Sequence, residues 1–328
     1  MLNDTQTQLN YRQKIKMIRP YQCQYGYAGG WSWIMSSLRC LHRDDGVLFD
    51  DFIENSFNWQ RDESLKENII PYKMPWIGFV HCPYNIPESF AEYRSPPQGI
   101  FENIEWEKSL PYCRGLFCLS DSHRNWLETR FHIPIVKLIH PTKRPGEPFS
   151  LEKFDANKEK KIVQVGVYLR RFFSIYQLPV KRLKKKFLKV NGNWVDELIE
   201  AEKKRLNVKV DADSTEVISY LPDYEYDKLL SKNIVFLHLY DSIANNTIVE
   251  CIARNTPILV NPLESVREYL GESYPYYFET LEEAAWKAEN IQLIYETYNY
   301  LQDLPIKDKL TSEYFCESFV QSDIYQKL

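Results

Sequence analysis

Residues 236–271 (FLHLYDSIANNTIVECIARNTPILVNPLESVREYLG) have the spacing best suited to chemistry. An apolar run ends at Leu239-Tyr240, and a polar loop follows from Asp241 and Ser242 to Asn245 and Asn246. Helical periodicity then opens near Thr247 and stops near Asn255. A helix start of this kind leaves N–H groups without intrahelical partners and a partial positive charge, which suits a diphosphate. Glu250, read here as lying in the first turn, would accept hydrogen bonds from the hydroxyls of a ribose. The plainer reading is that Asn245, Asn246 and Thr247 cap the helix and Glu250 favours its dipole.

Three further places carry candidate groups. Gly166 stands where an apolar run ends, at a point that would let backbone approach a ligand closely. Arg170 and Arg171 follow within five residues, and a planar guanidinium can pair with phosphate oxygens. A solvated loop with incidental basic residues is the alternative. Gly29 and Gly30 precede a helical stretch, where paired glycines can bring amides against an anion or simply make a tight turn. His81 follows a strand-like run. At a strand's carboxyl end its imidazole could deprotonate an acceptor hydroxyl or hydrogen-bond a sugar; a structural histidine fits equally. His238 reads as core, inside a strand.

The elements that would position these groups alternate. Strands are expected at 14–18, 46–52, 76–81, 114–119 and 135–139, with helices at 31–41 and 122–131. A second set has strands at 161–167, 187–190, 217–220, 234–239 and 257–260, with helices at 195–206, 224–232, 247–254 and 281–297. Short β-rich runs alternating with helices predict parallel sheets covered on both faces. The proline-rich, charged stretch 140–160 is the linker candidate. The expected division is a first domain over 1–145, a linker over 146–160, a second domain over 161–306 and a helical tail over 307–328, with the tail free to pack back on the first domain. The basic run 181–186 (KRLKKK) reads as an exposed face, with an anionic membrane surface as a lesser option.

The composition excludes several classes. The 328 residues are 44% apolar and 26% charged, which rules out wholesale disorder. A net charge of −4 is a poor start for a nucleic-acid binder. No apolar run approaches the length of a membrane span, and the polar opening residues do not resemble a signal peptide. Seven scattered cysteines fit reduced, buried thiols and a cytoplasmic location. A dinucleotide fingerprint of the G-x-G-x-x-G type is absent.

The order Gly166-x-x-x-Arg170, Ser219-Tyr220-Leu221-Pro222, the tract running to Glu250, and Thr256-Pro257-Ile258-Leu259-Val260 resembles the donor-binding half of GT-B-fold glycosyltransferases. The family 4, group 1 type is the most similar, and the tract 245–260 also resembles a sub-branch of bacterial and viral glycosyltransferases. The resemblance spans about 162–278 and touches the first half only by architecture. It implies an α/β chain of two Rossmann-like, doubly wound domains facing each other. It further implies transfer of a sugar, with retention and without a metal or other cofactor, from a nucleotide-diphosphate sugar to a glycan or other hydroxyl acceptor. By the same resemblance the arginine after the first strand, Arg170 or Arg171 here, and a lysine downstream hold the diphosphate, and the loop from Tyr240 through Asp241, Ser242, Asn245 and Asn246 to Thr247 closes over it. Gly166, Tyr220 and Pro222 line the donor, Glu250 binds the ribose, and Gly29, Gly30 and His81 face it from the first domain.

Enzymes of this kind carry two glutamates eight positions apart; Glu250 matches the second, and Ser242 stands at the first, beside Asp241. That departure keeps open a catalytically inactive nucleotide- or carbohydrate-binding module. A metal-dependent GT-A glycosyltransferase is the other alternative, with Asp211 and Asp213 as a D-x-D pair around a divalent cation.

Overall fold

A computed structural model describes residues 11–18, 30–87, 97–207 and 211–328. Its first half is built on five strands, β1 (Ile15–Met17), β2 (Val47–Asp50), β3 (Trp76–Phe79), β4 (Cys113–Cys118) and β5 (Ile135–Lys137). All pair in parallel, in the consecutive order β1-β2-β3-β4-β5. Helices α1 (Trp31–Ser37), α2 (Arg61–Lys66), α3 (Pro97–Phe101), α4 (Ile104–Ser109) and α5 (Asp121–Glu128) lie between them. Every residue of β3 is buried, as expected of a parallel strand covered on both faces.

The second half follows helix α6 (Leu151–Ala156) and holds β6 (Lys161–Val165), β7 (Lys184–Leu188), β8 (Thr215–Ile218), β9 (Ile234–Leu237) and β10 (Ile258–Val260). Its order is β10-β9-β6-β7-β8, also all parallel. The chain therefore winds outward from β6 in one direction and returns to start again at β9 on the other side. Where strand order reverses, the loops after two neighbouring strands diverge and open a crevice at their carboxyl ends. That crevice lies between the loops after β6 and β9.

Helices α7 (Ser174–Gln177), α8 (Asn193–Leu206), α9 (Asp223–Leu230), α10 (Asn246–Arg254), α11 (Glu264–Leu270), α12 (Leu281–Glu289) and α13 (Ile291–Gln302) complete this half. The single helix expected over 281–297 is two, because Asn290 accepts from Leu293 N at 3.2 Å and starts a new N-cap. The last helices, α14 (Ser312–Gln321) and α15 (Asp323–Gln326), return to the first sheet. There Phe315 and Phe319 stack on Phe79 and Phe117, with Ile324 and Tyr325 buried beside them.

Two sequence expectations need correction. The basic run is an exposed face only in part: Lys181, Arg182 and Lys184 are exposed, but β7 begins inside it, flanked by β6 and β8. Lys186 is buried and its Nζ lies 2.6 Å from Glu216 Oε1, while Lys184 pairs with Glu159 at 2.7 Å and Lys185 donates to Tyr176 O at 2.6 Å. Neighbouring carboxylates thus neutralise what reads in one dimension as a solvated charge block. His238 lies just past β9 and is half-buried rather than in the core; its Nδ1 is 2.9 Å from Ser174 Oγ. The stretch 140–160 also contains α6, whose Phe154 joins the second core with Phe149. Five of the six described cysteines are buried free thiols and Cys40 is exposed; Cys23 lies outside the described residues. Among the described residues no helix is long and apolar enough to cross a membrane.

The halves meet through specific ties. Glu268 on α11 accepts from Asp121 N at 2.6 Å and Ser122 N at 2.8 Å, so a carboxylate of the second half caps α5 of the first. Tyr269 donates to Leu119 O at 2.8 Å and accepts from His140 N at 3.1 Å. Asp241 accepts from Asn85 N at 2.9 Å.

Candidate active site

The loop after β6 is shaped by two residues with positive φ. Gly166 has φ of 79°, and a Cβ there would stand 3.2 Å from Arg170 Nη2. Leu169 has φ of 58°, a left-handed conformation that costs a non-glycine residue about 1–2 kcal/mol. The surroundings hold it there: Leu169 is buried, its carbonyl accepts from Tyr240 N at 2.9 Å, and Arg171 N donates to His238 O at 2.8 Å. The loops after β6 and β9 are thereby joined, and Arg170 is turned back across the end of β6.

Arg170 is only 9% exposed and uses its whole fork. Nε donates to Val165 O at 3.2 Å and Nη1 to Tyr168 O at 2.6 Å. Nη2 donates to Asn245 Oδ1 at 3.1 Å and Thr247 Oγ1 at 3.3 Å. Burial lowers its pKa to about 10, against the opposing pull of Tyr226 and Glu250, so it stays cationic at neutral pH. Asn245 Oδ1 also accepts from Thr247 N at 3.0 Å and caps α10. One oxygen thus ties the guanidinium to the positive end of the helix.

Because Asn245 is the cap, Glu250 is the fifth residue of α10 and lies one turn in, not in the first turn. It shares a face with Asn246, four residues earlier. Glu250 is 6% exposed, and its Oε2 accepts from Tyr226 OH at 2.5 Å. Burial raises its pKa, while Arg254 and Tyr226 pull it back down.

A cavity of about 440 Å³ opens over this constellation, within the range that holds small ligands. The second half lines it with Gly166, Arg170, Asn246, Thr247 and Glu250 and with an apolar side of Val165, Val167, Leu188, Val190 and Trp194. The first half contributes Gly30, Trp31, Ser32, Asp50, Asp51, Phe52 and Asn55. Asp50 closes β2; its carboxylate accepts from Tyr72 OH at 2.8 Å and Phe52 N at 3.1 Å. Burial and the neighbouring charge of Asp51 raise its pKa to about 6. Asp51 Oδ2 accepts from Trp31 Nε1 at 3.2 Å. Asn55 opens a π-helical turn, Asn55–Trp59, closed by Gln60 N donating to Asn55 O at 2.8 Å, a geometry common at functional sites.

Of the residues singled out from sequence, Gly30, Gly166, Arg170, Asn246, Thr247 and Glu250 line this cavity, and Asn245 stands behind Arg170. Gly29 lies outside the described residues. Arg171 is turned onto the Tyr240 ring at 4.6 Å, and Tyr240 OH donates to Glu202 at 2.8 Å, so neither lines the cavity. Asp241 instead joins the halves through Asn85, and Ser242 is tied within the second half by Ser265, which donates to Ser242 O at 2.5 Å. Tyr220 is 67% exposed and Pro222 is exposed, both outside the cavity. Asp211 and Asp213 are exposed just before the edge strand β8, with Asp213 N donating to Asp211 Oδ1 at 3.2 Å.

His81 sits behind the wall. Its ring packs 4.0 Å from Trp31 and 4.2 Å from Phe52, both of which line the cavity. Its Nδ1 is 3.8 Å from Glu54 Oε2, and neither ring nitrogen has a hydrogen-bond partner among the described residues. The other Glu54 oxygen accepts from His81 N and Cys82 N, both at 2.6 Å.

Sequence reasoning missed the first-half wall apart from Gly30, and the apolar side around Trp194. The adjacent carboxylates Asp50-Asp51 at a strand's end were the one available signal.

No protein-family model and no curated protein matches this chain. Solved structures do. An α,α-trehalose-phosphate synthase (UDP-forming) from Burkholderia vietnamiensis is similar over 90% of this chain and 78% of its own, at 13% identity and a TM-score of 0.55. TarM from S. aureus, in a complex with fondaparinux, α-GlcNAc-glycerol and UDP, is similar over 90% of this chain and 58% of its own, at 15% identity and a TM-score of 0.58. A sucrose-phosphate synthase from Thermosynechococcus elongatus covers 86% of this chain and 73% of its own, at 11% identity and a TM-score of 0.58. These neighbours are glycosyltransferases, and at such identities the likeness is one of fold: two facing α/β units with parallel sheets, the GT-B architecture.

Proposed function

We propose that this protein is a glycosyltransferase that moves a sugar from a nucleotide-diphosphate sugar to a hydroxyl acceptor. The observation that carries the reading is Arg170, buried and fixed against the N-terminus of α10 inside the cavity at the strand-order reversal. When the glycosidic bond to the diphosphate breaks, negative charge grows on the leaving phosphate oxygens. A preorganised cation and helix amides aimed there stabilise that charge without having to reorganise, and such groups are usually the largest catalytic term. Arg170 and the amide at Asn246 take that role, in place of a metal cation. Glu250, braced by Tyr226, takes the ribose hydroxyls, and the apolar side around Trp194 takes the base. Retention of configuration, metal independence and action in the cytoplasm belong to the same proposal.

One geometry favours a second reading, a binding module without transfer activity: His81 is screened from the cavity by Trp31 and Phe52. The test runs thermal shifts against UDP, GDP, ADP, CMP and dTDP and their sugars, followed by label transfer to acceptor. Stabilisation by one nucleotide, with transfer, is expected. Tight binding with neither hydrolysis nor transfer selects the module, and refusal of every nucleotide overturns both readings.

A further inference from the structure

We propose that Tyr226 and Arg254 are positioning residues for Glu250: they hold its carboxylate ionised and turned to the cavity, and so set a preference for ribose over deoxyribose in the nucleotide. The proposal rests on the donor reading above, in which Glu250 takes the ribose hydroxyls, and adds what makes that carboxylate selective.

On α10 the neighbours of Glu250 are apolar, with Ile248, Val249, Cys251 and Ile252 all buried, so an ionised carboxylate there needs partners. Adjacent residues of α9 organise them. Tyr226, which also lines the cavity, donates to Glu250 Oε2 at 2.5 Å. Asp227 Oδ1 accepts from Arg254 Nη2 at 2.6 Å and from Arg254 Nε at 3.0 Å. Arg254, one turn after Glu250, puts its remaining nitrogen, Nη1, on the Glu250 carbonyl at 3.2 Å. The chain between the halves anchors the pair: Gly146 N donates to Asp227 Oδ2 at 2.8 Å, and Phe149 N donates to Arg254 O at 2.9 Å.

The charges alternate in sign from that anchor to the cavity, through Asp227, Arg254, Glu250 and Arg170. Burial pushes the Glu250 pKa up; Arg254, the Tyr226 bond and Arg170 oppose it, and Asp227 works with burial. Burial also works against the charge of Arg254, and Glu250, Tyr226 and Asp227 more than offset it. The Arg254–Asp227 pair, with side chains 6% and 14% exposed, is of a kind that contributes little to stability, because packed apolar residues often do as well. Its effect falls on the carboxylate one turn away. With Oε2 taken by Tyr226, Oε1 is the oxygen left for a ligand. An acceptor fixed in this way binds a hydroxyl strongly and binds an analogue lacking that hydroxyl poorly, because the acceptor is then left unpaired.

The experiment measures dissociation constants by calorimetry for UDP, GDP and ADP against their 2′-deoxy and 3′-deoxy counterparts. The parent chain is expected to bind one ribose nucleotide at least about tenfold tighter than one of its deoxy forms. Tyr226→Phe removes a hydroxyl and Arg254→Gln removes the cation; each should abolish most of that preference by weakening the ribose form. Arg254→Lys keeps a charge and should recover part of it. Glu268→Ala, away from the cavity, should lower Tm and leave the preference as it is, which separates positioning from a general loss of stability. A clear parent preference that Tyr226→Phe, or a folded Arg254→Gln, leaves intact overturns the proposal alone, and so does an equal loss in Glu268→Ala. A parent chain that binds nucleotide without preference overturns the ribose role of Glu250 and the proposal with it. Refusal of every nucleotide overturns the donor reading itself, a failure visible before any variant is made.

Discussion

The two halves are both five-stranded parallel sheets, yet they build their share of the cavity by different means. In the second half strand order reverses between β6 and β9, and the loops after those strands are joined by backbone hydrogen bonds through Leu169, Arg171 and Tyr240. The crevice is a consequence of topology, and its charged group is locked by four contacts within the same half. In the first half strand order is consecutive, so no reversal opens a crevice among the described strands. Its contribution is a run of polar residues after β2, shaped by a π-helical turn and brought to the cavity by how the halves are tied together. The crevice around Arg170 grows from one sheet's winding order; the opposing wall depends on assembly of the two.

The largest effect that would test this contrast is at Arg170. Arg170→Ala should lower turnover about 10²–10³-fold, a loss of ~2.7–4 kcal/mol of transition-state stabilisation. Arg170→Lys should not restore it, because an ammonium cannot reproduce the planar fork. Steady-state kinetics with a cleaved donor check this, and near-normal turnover would remove Arg170 from the chemistry.

A smaller effect separates the walls by titration. Asp50 has its pKa raised from 3.8 to about 6 by burial and by Asp51, so the folded chain holds that proton more tightly than the unfolded one. The resulting stability is fully present below the unfolded value and is lost as pH rises through the folded one, a loss of about 3 kcal/mol. Asp50→Asn should flatten this part of the Tm-against-pH curve. An unchanged slope would mean that Asp50 does not titrate there.

Next comes the tie itself. Glu268→Ala leaves Asp121 N and Ser122 N uncapped and should cost about 1–2 kcal/mol. Faster amide exchange is expected at the start of α5. Exchange confined to α11 would show that the tie does not hold the halves together.

The smallest effect is expected at Tyr220, which is 67% exposed. Tyr220→Ala should change stability by less than about 0.5 kcal/mol and leave nucleotide affinity as it is. A marked fall in affinity would place the β8–α9 loop over the bound nucleotide.

Much of the fold could be read from periodicity. Most strand cores were visible as short apolar runs, because strands buried on both faces cannot hide among polar residues; β7 and β8 were expected late, at 187 and 217, because β7 opens on Lys184-Lys185-Lys186 and β8 is an edge strand with Glu216 and Val217 exposed. The second-half side of the cavity was readable for a related reason: Gly166, Arg170 and the Asn245-to-Glu250 stretch sit at or near element ends, where backbone geometry restricts the choice of residue. Elsewhere local signals misled. The run 181–186 is solvated only in part: Lys181, Arg182 and Lys184 are exposed, while Lys186 is buried against Glu216 on the neighbouring strand. Tyr240 and Arg171 looked like ligand contacts but pack on each other. His81 occupies a strand's carboxyl end, yet Trp31 and Phe52 stand between it and the cavity.

By itself the sequence determined the alternation of elements, the cap that starts α10 and the presence of a guanidinium a few residues after β6. Those features depend on hydrogen bonds and apolar faces within one segment. Tertiary structure decided the order of strands in each sheet, the direction in which Arg170 points and the charge of the wall opposite it. These depend on contacts between residues tens to hundreds of positions apart, which leave no periodic trace in either partner.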